Sequence, residues 1–252
     1  MSDGAGKVLL VTGGSRGIGA AVASDAARAG WRVAVNYVSN EEAASRVVAG
    51  IAAAGGEAFA IKGDVGSEAD ILAMFKAVDT RYGRLDALFN NAGIVGRKAR
   101  VEELSASRIE EMLRINVTGS ILCAREAVRR MSTRHGGPGG VIVNMSSAAA
   151  RLGSPNEYVD YAASKAAVDT FTRGLALEVA DEGIRVNAVR PGFIDTEIHA
   201  SGGQPDRLER LRASLPMKRE GRAEEVSSVV LFLLSEASSY MTGSFLDISG
   251  GR

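Results

Sequence analysis

A tyrosine and a lysine stand four residues apart, a spacing that puts both side chains on one face of a helix. They are Tyr161 and Lys165, in a stretch with helical apolar spacing. A free phenol has a pKa of about 10, too high for efficient proton transfer near neutral pH, and an adjacent ammonium stabilises the phenolate. Ser146 and Ser147 end the strand-like run just upstream, where a hydroxyl can hold a substrate oxygen. Because an ordinary helix face has the same spacing, the pattern indicates proton-transfer chemistry only together with its surroundings.

A glycine-rich run follows the first strand-like segment, Val8–Val11, and opens a helix from about Gly17 to Ala29. Glycines permit positive φ and let the backbone approach a pyrophosphate, and a helix N-terminus favours that anion. In the first strand-to-helix turn of an alternating chain this run predicts a dinucleotide site, and a merely tight turn is the alternative interpretation. The run is Thr12-Gly13-Gly14-Ser15-Arg16-Gly17-Ile18-Gly19.

The residues in and after this run favour NADP over NAD. Proteins that prefer NAD usually carry an acidic residue about 20 residues after the loop, which bonds the ribose 2′-hydroxyl. Here the second strand ends in Asn36 and Tyr37, with no carboxylate before Glu41. Arg16 could instead pair with a 2′-phosphate, because a guanidinium matches phosphate geometry. Arg16 could equally be a solvated loop cation, and a neutral Asn36 also tolerates NAD.

Short β-branched runs alternate along the chain with longer stretches of helical apolar spacing, the pattern of βαβ units around a parallel sheet. No linker divides the series, so we predict one α/β domain over 1–252, doubly wound with helices on both faces. Residues 195–217 break the pattern after a strand end, which predicts a lid over substrate; an ordinary surface loop is the alternative. The predicted strands lie at 8–11, 33–35, 59–61, 85–89, 141–144, 184–189 and 244–247, and the predicted helices at 17–29, 41–54, 70–82, 107–133, 223–234 and around Tyr161 and Lys165.

The composition favours a small-molecule partner. Basic and acidic side chains both total 30, so no net field attracts nucleic acid or an anionic membrane surface. Cys123 is the single cysteine, and His135 and His199 are the two histidines, so we expect neither an internal disulfide nor a metal site. The first residues lack a signal-peptide pattern and the apolar runs are too short to span a bilayer, which predicts a cytoplasmic protein.

Further motifs follow in order along the chain. They are Asp64-Val65, Asn90-Asn91-Ala92-Gly93, Asn116 in Ile115-Asn116-Val117, and Pro191-Gly192. Together with the glycine-rich run, the serine pair and Tyr161-x-x-x-Lys165, this set resembles the short-chain dehydrogenase/reductase family over essentially the whole chain. Within the family it is nearest to glucose dehydrogenase-like and 3-oxoacyl-carrier-protein reductase-like members.

The resemblance implies a Rossmann-type, three-layer fold with a mostly or wholly parallel seven-stranded sheet. It implies a nicotinamide cofactor and hydride transfer to or from a small alcohol or carbonyl compound, with no metal. It also implies a homotetramer that pairs its long helices and its C-terminal strands.

Four residues would perform the chemistry that the resemblance implies. Tyr161 would be the general acid in reduction and, as phenolate, the base in oxidation. Lys165 would lower the pKa of Tyr161 and bond the nicotinamide ribose. Ser147, rather than Ser146, would bond the substrate oxygen, and Asn116 would hold a water that links Lys165 to solvent. Asn116 could otherwise cap or bend a helix.

The resemblance also implies the cofactor contacts. Asp64 would meet the adenine, Asn90 to Gly93 would pass beside the adenosine ribose, and Pro191 to Thr196 would meet the nicotinamide. Asp64 could otherwise end a strand and Asn90 could serve a turn. The predicted cofactor-binding residues are Gly13, Ser15, Arg16, Gly17, Ile18, Gly19, Asn36, Asp64, Val65, Asn91, Ala92, Gly93, Tyr161, Lys165, Pro191, Gly192, Ile194 and Thr196.

A second tyrosine, Tyr158, lies in a stretch before Tyr161 that is one residue longer than in many relatives. Its partner four residues on is Ala162, so it does not fit the proton-transfer role and could instead line the pocket. The substrate would be selected by loop residues such as Arg151, Leu152, Phe193, Ile198 and His199.

Two other functions stay open at this point. One is a dinucleotide-responsive binding or regulatory protein with little turnover. The other is an isomerase or dehydratase of the same fold, which would show turnover without net cofactor oxidation. A fold alone excludes neither.

Overall fold

Seven strands form one wholly parallel sheet in the computed structural model, which describes residues 4–198, 202–204 and 206–252. The strands are β1 (Val8–Val11), β2 (Arg32–Tyr37), β3 (Glu57–Lys62), β4 (Ala87–Asn90), β5 (Gly140–Met145), β6 (Ile184–Pro191) and β7 (Phe245–Ile248). Their spatial order is β3-β2-β1-β4-β5-β6-β7. The chain therefore crosses between the two halves of the sheet after β3, and strand order reverses between β1 and β4.

Helices cover both faces of this sheet. They are α1 (Gly17–Arg28), α2 (Glu41–Ala53), α3 (Glu68–Tyr82), α4 (Ala106–Leu113), α5 (Ser120–Met131), α6 (Ala149–Leu152), α7 (Val159–Glu178), α8 (Arg207–Arg212) and α9 (Ala223–Leu234). One core, with Val22 and Val226, lies under α1, α2 and α9, and the other, with Phe75 and Ala176, lies under α3, α5 and α7.

The first strand shows how the sequence builds both cores. All four residues of β1 have no exposed surface, and Leu9 and Val11 join one core while Val8 and Leu10 join the other. Successive side chains of a strand point to opposite faces, so a continuous apolar run fits a parallel sheet that is covered on both sides. The prediction of a doubly wound α/β fold with a seven-stranded parallel sheet is confirmed.

The helical stretch predicted over 107–133 is present from Ala106 to Met131, but it is not α-helical throughout. Between α4 and α5, residues Arg114–Gly119 form a π-helical turn. A Cβ on Gly119 would lie 2.5 Å from the Val65 carbonyl oxygen, so the turn packs closely against the segment after β3. Such turns are frequent at functional sites, and this one carries Asn116.

After β6 the chain leaves the sheet on an excursion whose two ends are tied together. Ile194 pairs with Gly221 in an isolated parallel bridge, and the Asp195 N–H donates to the Gly221 carbonyl at 2.8 Å. The excursion contains the short helix α8. His199, one of the loop residues expected to select substrate, lies outside the described residues.

Within 4–198, 202–204 and 206–252, no helix is both long and apolar enough to cross a membrane. The same ranges hold no group of three or more His, Cys, Asp or Glu side chains that could hold a metal ion.

Candidate active site

A groove of about 1140 Å³ lies along the carboxyl edge of the sheet. Ligands of open parallel sheets bind at this edge, where strand order reverses. The glycine-rich loop and the Tyr161–Lys165 pair both line it, although they are far apart in sequence. The predicted site residues that line the groove are Gly13, Ser15, Arg16, Gly17, Ile18, Gly19, Asp64, Val65, Asn91, Ala92, Gly93, Ser147, Tyr161, Lys165, Pro191, Gly192, Ile194 and Thr196.

Asn36 is a predicted cofactor-binding residue that does not line the groove. Its side chain has no exposed surface: the side-chain oxygen accepts the Gly13 N–H at 3.1 Å, and the amide donates to the carbonyls of Gly63 at 2.9 Å and Ile61 at 3.3 Å. In the free protein β2 turns this side chain into the interior, and its contact with cofactor stays a prediction. Asn36 instead holds the glycine-rich loop against the end of β3.

A second tether holds the loop from the residues after β4. The Asn91 amide donates to the carbonyls of Thr12 at 2.8 Å and Gly13 at 3.0 Å. The Thr12 hydroxyl oxygen accepts the N–H groups of Asn91 and Ala92 at 2.9 and 3.0 Å. Because the loop is anchored from two directions in the free protein, binding a ligand there requires little loss of backbone entropy.

The loop has the shape that a dinucleotide pyrophosphate requires. Gly13 and Gly17 have φ of +61° and +52°, and a Cβ on Gly19 would lie only 2.3 Å from the Gly13 carbonyl oxygen. Helix α1 begins here with no acidic residue in its first turn and no side-chain cap from Arg16. Its N-terminal N–H groups and dipole therefore favour an anion in the groove.

Several groove residues were missed by sequence reasoning. A guanidinium from α2, Arg46, lines the groove in addition to Arg16, and it pairs with Glu42 on the same helix. These residues follow β2 at the carboxyl edge of the sheet, and that position is the signal that could have identified them. The additional lining residues after β2 are Tyr37, Val38, Ser39, Asn40, Ala43, Arg46 and Val47.

Asp64 reaches the groove from the end of β3. One carboxylate oxygen accepts the Gly66 N–H at 2.8 Å, and the other pairs at 3.2 Å with Arg114, a lining residue that the sequence also did not reveal. Asn90, in contrast, is buried, and its amide donates to the Ser120 carbonyl at 2.7 Å and to Asn144 at 3.2 Å. Asn90 thus ties β4 to its neighbours, and Asn91 to Gly93 are the residues of this motif that line the groove.

Tyr161 lies in the first turn of α7, close to Ser147 after β5. The Ser147 hydroxyl oxygen accepts the Ala149 N–H at 3.1 Å, which fixes the serine at the start of α6. Burial raises the pKa of Tyr161 above its ordinary value, and a hydrogen bond with Ser147 and the charge of Arg207 offset this rise only in part. In the free protein the pKa of Tyr161 is therefore raised, whereas Lys165 was expected to lower it. Desolvation of the phenolate has the larger effect.

Lys165 lies almost completely buried one helical turn further along α7. Its Nζ donates to the Met145 carbonyl at 2.7 Å and lies 5.7 Å from the centroid of the Tyr161 ring. Burial lowers the pKa of Lys165 to about 8, against an opposing effect of Asp169. Lys165 is therefore a cation that can lose its proton within the range where enzymes operate.

Asn116 lies behind the groove and does not line it. Its side-chain oxygen accepts the Ile94 N–H at 2.8 Å, and its amide donates to the Ile94 carbonyl at 3.0 Å and to Ser164 at 3.1 Å. A Cβ on Gly93 would lie 3.1 Å from the Asn116 oxygen and 3.5 Å from Lys165 Nζ. Gly93 thus leaves a space that both side chains face, and the water-holding role of Asn116 stays a prediction.

Tyr158 does not line this groove either, and its place in a substrate pocket stays a prediction. Its hydroxyl accepts a hydrogen bond from the Gln204 amide at 2.5 Å, and Arg207 stacks on its ring at 4.8 Å from the centroid. Tyr158 therefore contacts the excursion after β6. Of the residues expected to select substrate, Ile198 lines the groove, Phe193 packs against Arg207 and Arg252, and Arg151 pairs with Asp247.

Known proteins are similar to this chain over almost its whole length. A family model described as enoyl-(acyl carrier protein) reductase matches residues 13–252. The chain is 56% identical over 245 residues to the uncharacterized oxidoreductase YgfF of Escherichia coli, covering 97% of this chain and 99% of that one. It is 36% identical to the 3-oxoacyl-[acyl-carrier-protein] reductase FabG of Staphylococcus aureus, covering 97% of each.

A solved structure extends this similarity to three dimensions. A short-chain dehydrogenase from Burkholderia cenocepacia, determined in complex with NADP, superposes with a TM-score of 0.89 at 36% identity and covers 99% of this chain and 98% of its own. With the glycine-rich loop, Ser147, Tyr161 and Lys165 gathered in one groove, these matches show that the chain belongs to the short-chain dehydrogenase/reductase family of oxidoreductases.

Proposed function

We propose that this protein transfers a hydride between NADP(H), which it prefers over NAD(H), and a small alcohol or carbonyl compound. The observation that carries the proposal is the single groove in which an anion-binding loop and a Ser147–Tyr161–Lys165 set lie together. A dinucleotide fits the loop because its glycines leave room for a pyrophosphate at the start of α1. When bound, the nicotinamide would supply or accept the hydride.

The protein's own residues would handle the proton. Tyr161 and Ser147 would donate hydrogen bonds to the carbonyl oxygen, where they stabilise the negative charge that develops during reduction. Because burial raises the pKa of Tyr161, the free protein holds the phenol protonated at neutral pH, as a general acid requires.

Lys165 and Asn116 would support this proton transfer. In the oxidative direction Tyr161 must become a phenolate, and the ammonium of Lys165 at 5.7 Å from the ring favours that anion. Asn116 would hold a water near Gly93 that connects Lys165 to solvent. Its amide bonds to Ile94 and Ser164 keep it rigid enough for that role.

The preference for NADP rests on charge along the groove. Residues 37–40, which line the groove after β2, include no carboxylate to bond a ribose 2′-hydroxyl. Arg16 and Arg46 both line the groove and could pair with a 2′-phosphate. The solved relative that contains NADP supports this preference.

Calorimetric titration of the protein with NADPH and with NADH tests the cofactor. We expect NADPH to bind at least about tenfold more tightly, a difference of about 1.4 kcal/mol, and Arg16→Ala to remove most of that preference. The matched control is Arg28→Ala, which removes an exposed arginine at the other end of the same helix, outside the groove. Equal affinity for both nucleotides would contradict the preference, and no binding of either would contradict the function.

Turnover is tested by following NADPH absorbance during a screen of aldehydes, ketones and 3-oxoacyl thioesters, the last because of the similarity to FabG. We expect consumption with at least one class, and a loss of about 10² to 10⁴-fold in Tyr161→Phe. Retained turnover in Tyr161→Phe would contradict the role of the tyrosine. Tight binding without turnover would favour a regulatory protein, and conversion without NADPH oxidation would favour an isomerase or dehydratase.

We further propose that the chain is one domain over 1–252, that residues 195–217 form a lid over substrate, and that the protein works in the cytoplasm as a homotetramer. The lid is supported by the tied ends of the excursion and by Ile198, which lines the groove from it.

A further inference from the structure

Two side chains, Arg108 on α4 and Asn116 on the π turn, each connect α7 to the same loop. This loop, residues 94–97, follows Gly93 and starts at the groove with Ile94. Asn116 bonds Ile94 at one end of the loop and Ser164 on α7. Arg108 bonds the Arg97 carbonyl at the other end, at 2.6 Å, and pairs with Asp160 on α7.

The Arg108–Asp160 pair is bidentate and shielded from water. Its two bonds are 2.7 and 3.2 Å long, and the side chains are 20% and 3% exposed. A Cβ on Gly96 would lie 2.7 Å from the guanidinium carbon of Arg108, so the absence of a side chain there gives the guanidinium its place. A planar guanidinium with several donors suits such a three-way contact, whereas a lysine has only a single ammonium.

The catalytic tyrosine needs support at this position. Tyr161 is the third residue of α7, and the first N–H groups of a helix have no partner within the helix. Tyr158, the N-cap residue just before α7, contributes no side-chain cap. Asp160 supplies the missing acceptor, because its carboxylate accepts the Tyr161 N–H at 2.9 Å.

We infer that Arg108 and Asp160 are a positioning pair that fixes Tyr161 and the 94–97 loop in their reactive arrangement. The inference rests on the proposed function, because it assigns the pair to the same site. Neither side chain lines the groove, so both act through Tyr161 and the loop. With Asn116, the pair fastens the loop at both ends to Asp160 and Ser164, the residues that directly precede Tyr161 and Lys165 on α7.

The variants that test the pair are Arg108→Gln, Asp160→Asn and the double variant, with Arg108→Lys as the conservative change. Asp160→Asn keeps an oxygen for the Tyr161 N–H and removes the charge. The double variant leaves no unpaired buried charge, so it remains useful if a single variant folds poorly. The matched control is Asp79→Asn, which breaks a bidentate pair with Arg130 between α3 and α5, outside the groove.

In steady-state assays with the best substrate of the carbonyl screen, we expect kcat to fall about 10- to 100-fold in Arg108→Gln and in the double variant. The NADPH Kd should stay within about twofold of wild type, and Arg108→Lys should recover part of kcat. Asp79→Asn should leave kcat unchanged. Unchanged kcat in Arg108→Gln and the double variant, or a proportional loss in Asp79→Asn, would overturn the inference.

Amide hydrogen exchange in the free protein gives a readout that needs no turnover. We expect the amides of residues 94–97 and 160–164 to exchange at least about tenfold faster in Arg108→Gln, with the central strands unaffected. This result would stand even if no carbonyl substrate were found, so failure of the proposed function is distinguishable. Unchanged exchange in both segments would overturn the positioning role.

Discussion

Burying the ammonium group of Lys165 costs folding free energy at neutral pH. Its pKa falls from 10.5 in an exposed lysine to about 8 in the folded chain, mainly because burial disfavours the charge. A shift of this size corresponds to about 3 kcal/mol at pH values below 8. The Met145 carbonyl, which accepts its hydrogen bond at 2.7 Å, limits this cost without cancelling it.

We therefore expect Lys165→Met to be more stable than wild type at pH 7, by up to about 3 kcal/mol less the cost of an unpaired Met145 carbonyl. Between pH 8 and 10.5 the folded lysine is neutral while the unfolded one still holds its proton, so wild-type stability gains from this group as pH rises. The advantage of the variant should shrink over the same range. Urea unfolding at a series of pH values measures this, and a variant that is less stable than wild type at pH 7 would contradict it.

For single residues, the sequence predicted the proposed catalytic residues better than the residues that hold the site in place. Tyr161, Lys165 and the glycine loop have local spacing that signals chemistry, and the groove brings them together. The inward direction of the Asn36 side chain was not predictable, because β2 is buried on both faces and has no polar alternation to reveal which way a side chain points. Arg108 and Asp160 are 52 residues apart, and their pairing depends on packing of α4 against α7.

At the scale of secondary-structure elements, capping residues mark where the helices begin and end. Ser67 accepts the Asp70 N–H at the start of α3, and Gly83 ends that helix with a φ of +70°. Such local signals place most helices within a few residues of their predicted bounds. The π turn was not predictable in this way, because it depends on the close approach of Gly119 to the Val65 carbonyl.

A glycine in the exposed face of α2 offers a test of element stability. Gly50 lies within the helix, and a Cβ there would have open space within 4 Å. We expect Gly50→Ala to stabilise the protein by about 0.5–1 kcal/mol, since alanine loses less backbone entropy in a helix. Thermal unfolding measures the change, with Gly55→Ala as a destabilising counterpart because its φ is +81°. A lower midpoint for Gly50→Ala would contradict this expectation.

At the scale of the whole molecule, alternation predicted a doubly wound sheet but not the order of its strands. Each βα unit looks similar in sequence, so nothing in the alternation indicates the crossover that puts β1 between β2 and β4. The order matters for function, because the groove forms where it reverses.

The outer surface of the α4, α5 and α7 layer carries exposed apolar side chains, including Leu113, Ile121 and Leu177, the last 77% exposed. If these helices pair in the proposed homotetramer, Leu177→Glu should lower the assembled mass and leave the far-ultraviolet circular dichroism spectrum unchanged. Light scattering after size exclusion measures the mass, with Leu72→Glu on α3 as the control. A wild-type protein that is monomeric at micromolar concentration would contradict the assembly.

The inward side chain of Asn36 also decides where cofactor preference can be redesigned. An aspartate at this position looks from the sequence like the change that would favour NAD. Within the fold it would place a carboxylate against the carbonyls of Ile61 and Gly63, with only the Gly13 N–H as donor, and so would loosen the glycine-rich loop. Ser39 lines the groove and is exposed, so we expect an acidic residue there to change the charge beside the proposed cofactor without disturbing the sheet.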